Sequence, residues 1–352
     1  MMKDVLIVGQ GICGTFLSWY LEQAGLSFVV IDEEQPYTAS RAAAGLINPV
    51  TGRRIVKTWM IDELLSFAQD AYKTVGEALH IDCLRPTRVI DFFPTAQMRL
   101  AFQDRLKEDP QYLRLPANEQ DWNTSFHYEL GYGEVAPCYL VDLPKLLPAA
   151  RRQMLDQGAL LEEHFDQQAL TLRPDGIRYK DISARMIVFC DGIASFSNPY
   201  FSRLPFAPNK GEALIVDIPG LDQQTTVFKK GITLAPWKDG LYWVGSSYEW
   251  SFSDTNPTET FRERTMMALQ NWLKVPFRVV EHIASVRPAT LERRPFVGCH
   301  PLHLAVGILN GMGTKGCSLA PYFAHQFVEH IAHGKAIQPD VDVKRFVKIL
   351  SR

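Results

Sequence analysis

Residues 5–8 are a continuous apolar run, the pattern of a parallel strand covered on both faces. A glycine turn follows. Ile12, Phe16, Tyr20, Leu21 and Ala24 then recur at helical spacing, which predicts a helix over 12–24 with Gly25 as its C-terminal cap. Residues 28–31 form a second apolar, β-rich run closed by Asp32, so the chain opens on one βαβ unit of about 30 residues. A loop of small residues, 38–45, separates this unit from a helical stretch over 58–79. From 86 to about 140 the pattern alternates: a strand at 89–93, a polar helix over 95–107, then mixed loops. Residues 144–157 read as helix, and 184–189 as another buried parallel strand ending in Cys190-Asp191-Gly192.

The period changes after about residue 205. Short strands at 213–217, 225–228, 232–236 and 241–245 are separated by turn signals, with Lys238-Asp239-Gly240 as a hairpin turn. A helix over 258–273 follows, then an apolar run at 304–309, a glycine-rich loop and a helix over 316–333. Segments of α/β character therefore bracket an antiparallel β insertion. The expected class is α/β, α+β overall, with two discontinuous domains: 1–85, 142–204 and 285–352 against 86–141 and 205–284.

Composition narrows the function classes. A length of 352 residues suits about two domains and buries cores large enough to need no disulfide or metal staple. With 37 basic and 39 acidic residues the net charge is −2, so no overall basic excess marks a nucleic-acid binder, although a local patch stays open. The 46% hydrophobic content excludes a disordered chain. No apolar stretch approaches the roughly 18 residues of a membrane span, and because the charged Lys3 and Asp4 lead straight into residues 5–8 and a glycine turn, no signal peptide is expected. The six cysteines (13, 83, 138, 190, 299 and 317) are scattered with no Cys-x-x-Cys pair, so reduced thiols in the cytoplasm are expected. Cys190, beside Val188 and Phe189, reads as core filler.

The first chemical constellation is Gly9-Gln10-Gly11-Ile12-Cys13-Gly14, set between a buried strand and an amphipathic helix. In that context Gly9 permits the tight turn, Gly11 lets the backbone approach a pyrophosphate, and Gly14 allows close helix–strand packing. The helix N-terminus at Ile12 and Cys13 supplies N–H donors and a positive dipole end. Asp32, with Glu33 beside it, is placed to accept from ribose hydroxyls. The motif predicts a dinucleotide and does not choose between NAD and FAD.

Three further segments carry a resemblance. Ser40-Arg41-Ala42-Ala43-Ala44-Gly45-Leu46-Ile47 resembles the small-residue segment of the D-amino-acid oxidase superfamily, which passes beside the flavin. Val286-Arg287-Pro288-Ala289-Thr290, with Arg293-Arg294-Pro295-Phe296-Val297-Gly298 and the loop from Asn310 to Pro321, resembles the ending of glycine oxidases. The Gly-x-x-x-Lys-Gly-x-x-x-Ala-Pro form of that loop is more similar still to the flavin domain of the bifunctional tRNA wobble-uridine modification enzyme. The motifs occur in the family's order over nearly the whole chain.

The resemblance implies a Rossmann-type FAD-binding domain with an inserted antiparallel-sheet substrate domain. It implies noncovalent FAD, because Arg287 stands where sarcosine oxidases carry their tethering cysteine. Cys317 stands where the family has a helix-start packing residue. Cofactor contacts would come from the glycine motif, Asp32, Glu33, Ser40, Arg41, Ala43, Ala44 and Gly45. Cys190, Asp191 and Gly192, and the loop Gly311, Met312, Gly313, Thr314, Lys315 and Gly316, would complete them. Arg287 would grip a substrate carboxylate through its planar guanidinium, the alternative being an ion pair with Glu292. Lys315 would add a cation at the flavin, or else is a solvated loop lysine; the alternative for Asp191 is that it caps a turn.

The implied activity is oxidation of the C–N bond of a small amine or amino acid by hydride transfer to flavin N5. The alternatives are flavin-dependent tRNA wobble-uridine modification and a noncatalytic FAD-binding module. An NAD-dependent dehydrogenase leaves the C-terminal loop unexplained. Arg41, Arg53, Arg54 and Lys57 form a basic cluster that reads as a solvated loop or as a site for an anionic substrate or RNA phosphate. His325, Glu329 and His333 share a helix face, but no motif supports ligation and no metal is expected. Where glycine oxidases have a hairpin tyrosine this chain has Thr233, with Tyr248 and Trp250 as alternative pocket residues. A small-molecule amine or amino acid is the expected partner, with tRNA second and no membrane.

Overall fold

Strand Lys3–Val8 lies inside the first of two large sheets and is covered on both faces: Val5 and Ile7 pack into one core cluster, Leu6 and Val8 into another. The computed structural model describes residues 2–52, 54–118, 120–221 and 224–351. Lys3–Val8 pairs in parallel with Phe28–Ile31, beyond which lies Leu160–Leu161, and on its other side with Ile182–Phe189. The C-terminal half of Ile182–Phe189 pairs in parallel with Val306–Asn310, and its N-terminal half pairs antiparallel with Gly176–Tyr179 of a small hairpin. Helices Ile12–Gln23, Ile61–Leu79, Leu143–Asp156 and Gly316–His333 bury their apolar stripes in the core that Val5 and Ile7 share. Parallel strands so enclosed explain the unbroken apolar runs of the sequence.

The second sheet runs Arg278–Arg287, Asn209–Asp217, Tyr242–Gly245, Ile232–Pro236, Thr226–Lys230, Leu84–Phe92, Tyr132–Val141, Leu46–Ile47. Among the described residues its neighbours are antiparallel except Thr226–Lys230 against Leu84–Phe92, which are parallel. Helix Glu259–Trp272 covers the outer face, burying Leu269 and Trp272 against Leu214, Val216 and Phe228. Tyr132–Val141, which reads as loop in the sequence, is a ten-residue interior strand. Its Pro137 falls where the pairing with Leu84–Phe92 is broken by a bulge, so the missing N–H costs no ladder bond. Among the described residues no helix is long and apolar enough to cross a membrane.

Candidate functional site

The turn after the first strand is built by close backbone approach. A Cβ on Gly9, whose φ is +96°, would lie 2.6 Å from the Cys190 carbonyl oxygen, and one on Gly14 would lie 1.9 Å from that of Gly9. Gly14 therefore packs helix to strand and does not itself line the cavity. A Cβ on Gly11 would meet only the Ser40 hydroxyl, at 3.0 Å, on the cavity side. Ser40 Oγ accepts from Ile12 N at 3.0 Å, tying the small-residue segment to the helix start.

Asp32 closes the second strand with its carboxylate well occupied. Oδ1 accepts from Gln10 N at 2.8 Å; Oδ2 accepts from Glu34 N at 2.9 Å and Arg151 Nη1 at 2.7 Å. Arg151 also pairs with Glu162 at 3.0 Å and is itself buried. Sequence reasoning passed over Arg151, yet it occupies the apolar stripe of Leu143, Leu146, Leu147, Ala150 and Met154. Glu33 lines the cavity with its carboxylate 3.0 Å from His164 Nδ1.

At the other end Asn310 Nδ2 donates to Gly192 O at 2.8 Å and Ser195 Oγ at 2.9 Å, so the last parallel strand is tied to the turn after Cys190. Asp191 accepts from Ser195 Oγ, and burial pushes its carboxyl up to about 6 against these hydrogen bonds. Gly311 has φ +80°, and a Cβ there would lie 2.7 Å from Thr290; it is buried beneath the loop and does not line the cavity. Gly313 N donates to Pro288 O at 3.1 Å, which brings the loop beside Arg287. Met312, Gly313, Thr314, Lys315 and Gly316 all line the cavity, and helix Gly316–His333 starts there with no side-chain cap. Burial and then the nearby Arg293 and Arg294 push the Lys315 ammonium pKa down. Burial pushes the Cys317 thiol up to about 12, which keeps it protonated.

The second sheet forms the remaining wall. Arg287 Nη1 donates to Asn209 Oδ1 at 2.6 Å and Ser247 O at 3.2 Å, and the Tyr248 ring lies 4.8 Å from the guanidinium carbon. Among the described residues Arg287 has no acidic partner; Glu292 pairs with Arg345 instead, at 3.2 Å. Thr233 and Tyr248 line the cavity; Trp250, 63% exposed, does not. Trp243 Nε1 donates to Ala42 O at 3.0 Å and so joins this sheet to the small-residue segment.

One cavity of about 2440 Å³ collects these parts. That exceeds the roughly 300–1,000 Å³ of an ordinary small-molecule pocket and leaves room for a dinucleotide and a substrate together. The bare Gly11 and the two helix starts suit the anionic centre and the pyrimidine edge of FAD, so the residues present fit it. Ala43, Ala44, Gly45, Cys13 and Cys190 also line it.

The basic cluster does not converge. Arg41 stands off the cavity and pairs with Glu34 at 3.3 Å; Lys57 pairs with Asp62 at 2.6 Å; Arg54 lines the cavity. Arg53 lies outside the described residues. His325 packs its ring against Tyr20 and Phe67, while Glu329 pairs with Lys335. Among the described residues no cluster of three metal-ligating side chains occurs.

Comparison with known proteins gives the family and the fold. A family model described as FAD dependent oxidoreductase matches residues 4–330. A glycine oxidase of Pseudomonas aeruginosa is 25% identical over 342 residues, 91% of this chain and 92% of the relative. Two solved structures share the fold: a glycine oxidase from Geobacillus kaustophilus (TM-score 0.79, 18% identity, 96% of each chain) and an iminodiacetate oxidase from Chelativorans sp. BNC1. The second has a TM-score of 0.75 at 20% identity and covers 95% of this chain and 96% of that one.

Proposed function

The chain belongs to the FAD-dependent oxidoreductase family, and from that premise we propose that it oxidises the carbon–nitrogen bond of a small amino acid or N-substituted amino acid. The observation that carries this reading is Arg287, a half-buried cation with no acid partner among the described residues, in the same cavity as the dinucleotide turn. Burial disfavours its charge, yet an arginine does not give up its proton, so an anionic ligand is the natural complement.

In this reading residues 1–85, 142–204 and 285–352 mainly hold the cofactor, while 86–141 with 205–284 hold the substrate, joined by Arg287 at the end of strand Arg278–Arg287, which continues the second sheet across that boundary. FAD, when bound, supplies the hydride acceptor that turns the amine into an imine, which water hydrolyses. Arg287 takes the carboxylate through parallel N–H donors and thereby fixes the α-carbon. Tyr248 covers the guanidinium and limits its exposure to water. Lys315 and the start of helix Gly316–His333 place positive potential on the cavity wall, where they would stabilise negative charge on the pyrimidine edge of a bound flavin. No side-chain base is required, because a neutral amine needs only orientation.

The test is anaerobic titration of the holoprotein with glycine, sarcosine, proline and D-amino acids, followed at the flavin absorbance. Bleaching by a member of this panel is expected. Bleaching by none of them, but by tRNA carrying a carboxymethylaminomethyl uridine and with steep salt dependence, would overturn the reading in favour of an RNA substrate.

A further inference from the structure

We propose that Asn209 is a positioning residue for the substrate carboxylate: it anchors Arg287 through a neutral oxygen, so the guanidinium is held in place while its charge stays free for the ligand. The inference rests on Arg287 as the carboxylate site.

Asn209 and Arg287 are register partners on antiparallel strands Asn209–Asp217 and Arg278–Arg287. Their side chains meet at 2.6 Å, Nη1 donating to Oδ1. A guanidinium only donates, so it is the amide oxygen that faces it, and Nδ2 is left buried without a partner. Asn209 is 2% exposed, so that donor is shut off from bulk water. Two positions on, Gly211 shares the same face of the strand, and a Cβ there would lie 1.9 Å from Arg287 Nη2. The strand thus carries the guanidinium on one amide oxygen and a stretch of bare backbone, with the Ser247 carbonyl as second acceptor. Both acceptors are uncharged. Lys210 and Glu212, which alternate with these positions, point to the opposite face, where Glu212 is taken by Lys210, His282 and Thr258. An aspartate at 209 would have nearly the same shape and would keep the short contact, but it would neutralise Arg287 from within.

The test uses acetate as the probe, with binding to the FAD-loaded protein read from the flavin absorbance and from the acetate-induced rise in Tm. Asn209→Asp is expected to retain FAD and raise the acetate Kd roughly tenfold or more. Asn209→Leu, which loses the anchor and adds no charge, is expected to raise it less, roughly three- to tenfold. In turnover both changes should fall on KM while kcat at saturation moves less. A merely structural role predicts the reverse order, because Asp preserves shape and hydrogen bond. Asn209→Asp binding acetate like the unaltered protein would overturn the proposal, as would an unchanged Kd in Asn209→Leu if the Asp variant does not fold. Failure of the unaltered protein to bind acetate at all would instead sink Arg287 as the carboxylate site.

Discussion

A single methyl group separates the roles of Gly11 and Gly14. On Gly14 it would collide with backbone, the Gly9 carbonyl oxygen at 1.9 Å; on Gly11 it would press on a hydroxyl, Ser40 Oγ at 3.0 Å, that can turn aside. Gly14→Ala is therefore expected to yield colourless or insoluble protein. Gly11→Ala should keep a folded protein with weakened FAD retention, and Gly11→Leu should lose the cofactor; the absorbance ratio at 450 and 280 nm, which are roughly the flavin and protein maxima, reads all three. Arg287→Leu should leave bound FAD intact, raise KM steeply for a carboxylate substrate, and cost about 2–5 kcal/mol in kcat/KM. Asp191 titrates in a measurable window. Its folded value of about 6 lies above the ordinary 3.8, so the folded state binds the proton more tightly. Its stabilising contribution is complete below about 4 and is lost as pH rises through 6. Asp191→Asn should flatten the fall in Tm of FAD-free protein over that range; an unaltered pH profile would reject the assignment. The glycine turn was legible because spacing and flanking elements mark it, whereas Arg287 was reached only through the resemblance of its Arg-Pro segment to a known family. Asn209 was not, since only strand register brings it to Arg287.

Elements were legible where one side of the chain is apolar throughout. Ile12–Gln23, Ile232–Pro236 and Gly316–His333 match their sequence patterns almost residue for residue. Arg278–Arg287 went unread because it is an edge strand whose first half is largely exposed, with Arg278, Glu281 and His282 diluting the alternation. Helix Ala96–Glu108 was read from its polarity, and its docking is correspondingly slight: Phe102 is its one fully buried side chain. That ring lies over Gly133, where a Cβ would come within 2.3 Å of it. Met98, Ala101 and Arg105 of the same helix line the cavity. Phe102→Ala should cost about 3–5 kcal/mol if the helix unfolds with the rest. If it detaches alone, the loss will be smaller and amide exchange over 96–108 will rise selectively. Unchanged exchange there together with unchanged stability would show that the ring is not the anchor.

At the scale of the molecule, the change of hydrophobic period near residue 205 announced two kinds of sheet, whereas the parallel pairing of Thr226–Lys230 with Leu84–Phe92 joins segments too distant for any local pattern to reveal. Between the sheets lies the cavity, with walls from both: Gly9–Cys13, Asp32 and Cys190–Asp191 on one side, Ala213, Thr233, Gly245 and Arg287 on the other. A ligand that spans it binds the folded arrangement and not the unfolded chain, so it stabilises by mass action, about 2.7 kcal/mol at a hundredfold excess over Kd. Protein stripped of FAD should therefore melt several degrees lower, and its Tm should climb steadily with the logarithm of added FAD. ADP tests whether both walls take part. Lacking the flavin half, it would occupy only the nucleotide end at the glycine turn and Asp32, and by its length would not reach the loop at Met312–Gly316 or the second sheet. At equal multiples of their own Kd, ADP and FAD must give equal free energies, so the comparison belongs at equal concentration, where the flavin half adds affinity only if it is held. FAD is expected to raise Tm well beyond ADP. Equal shifts would place the flavin outside the cavity and remove the second sheet from its binding.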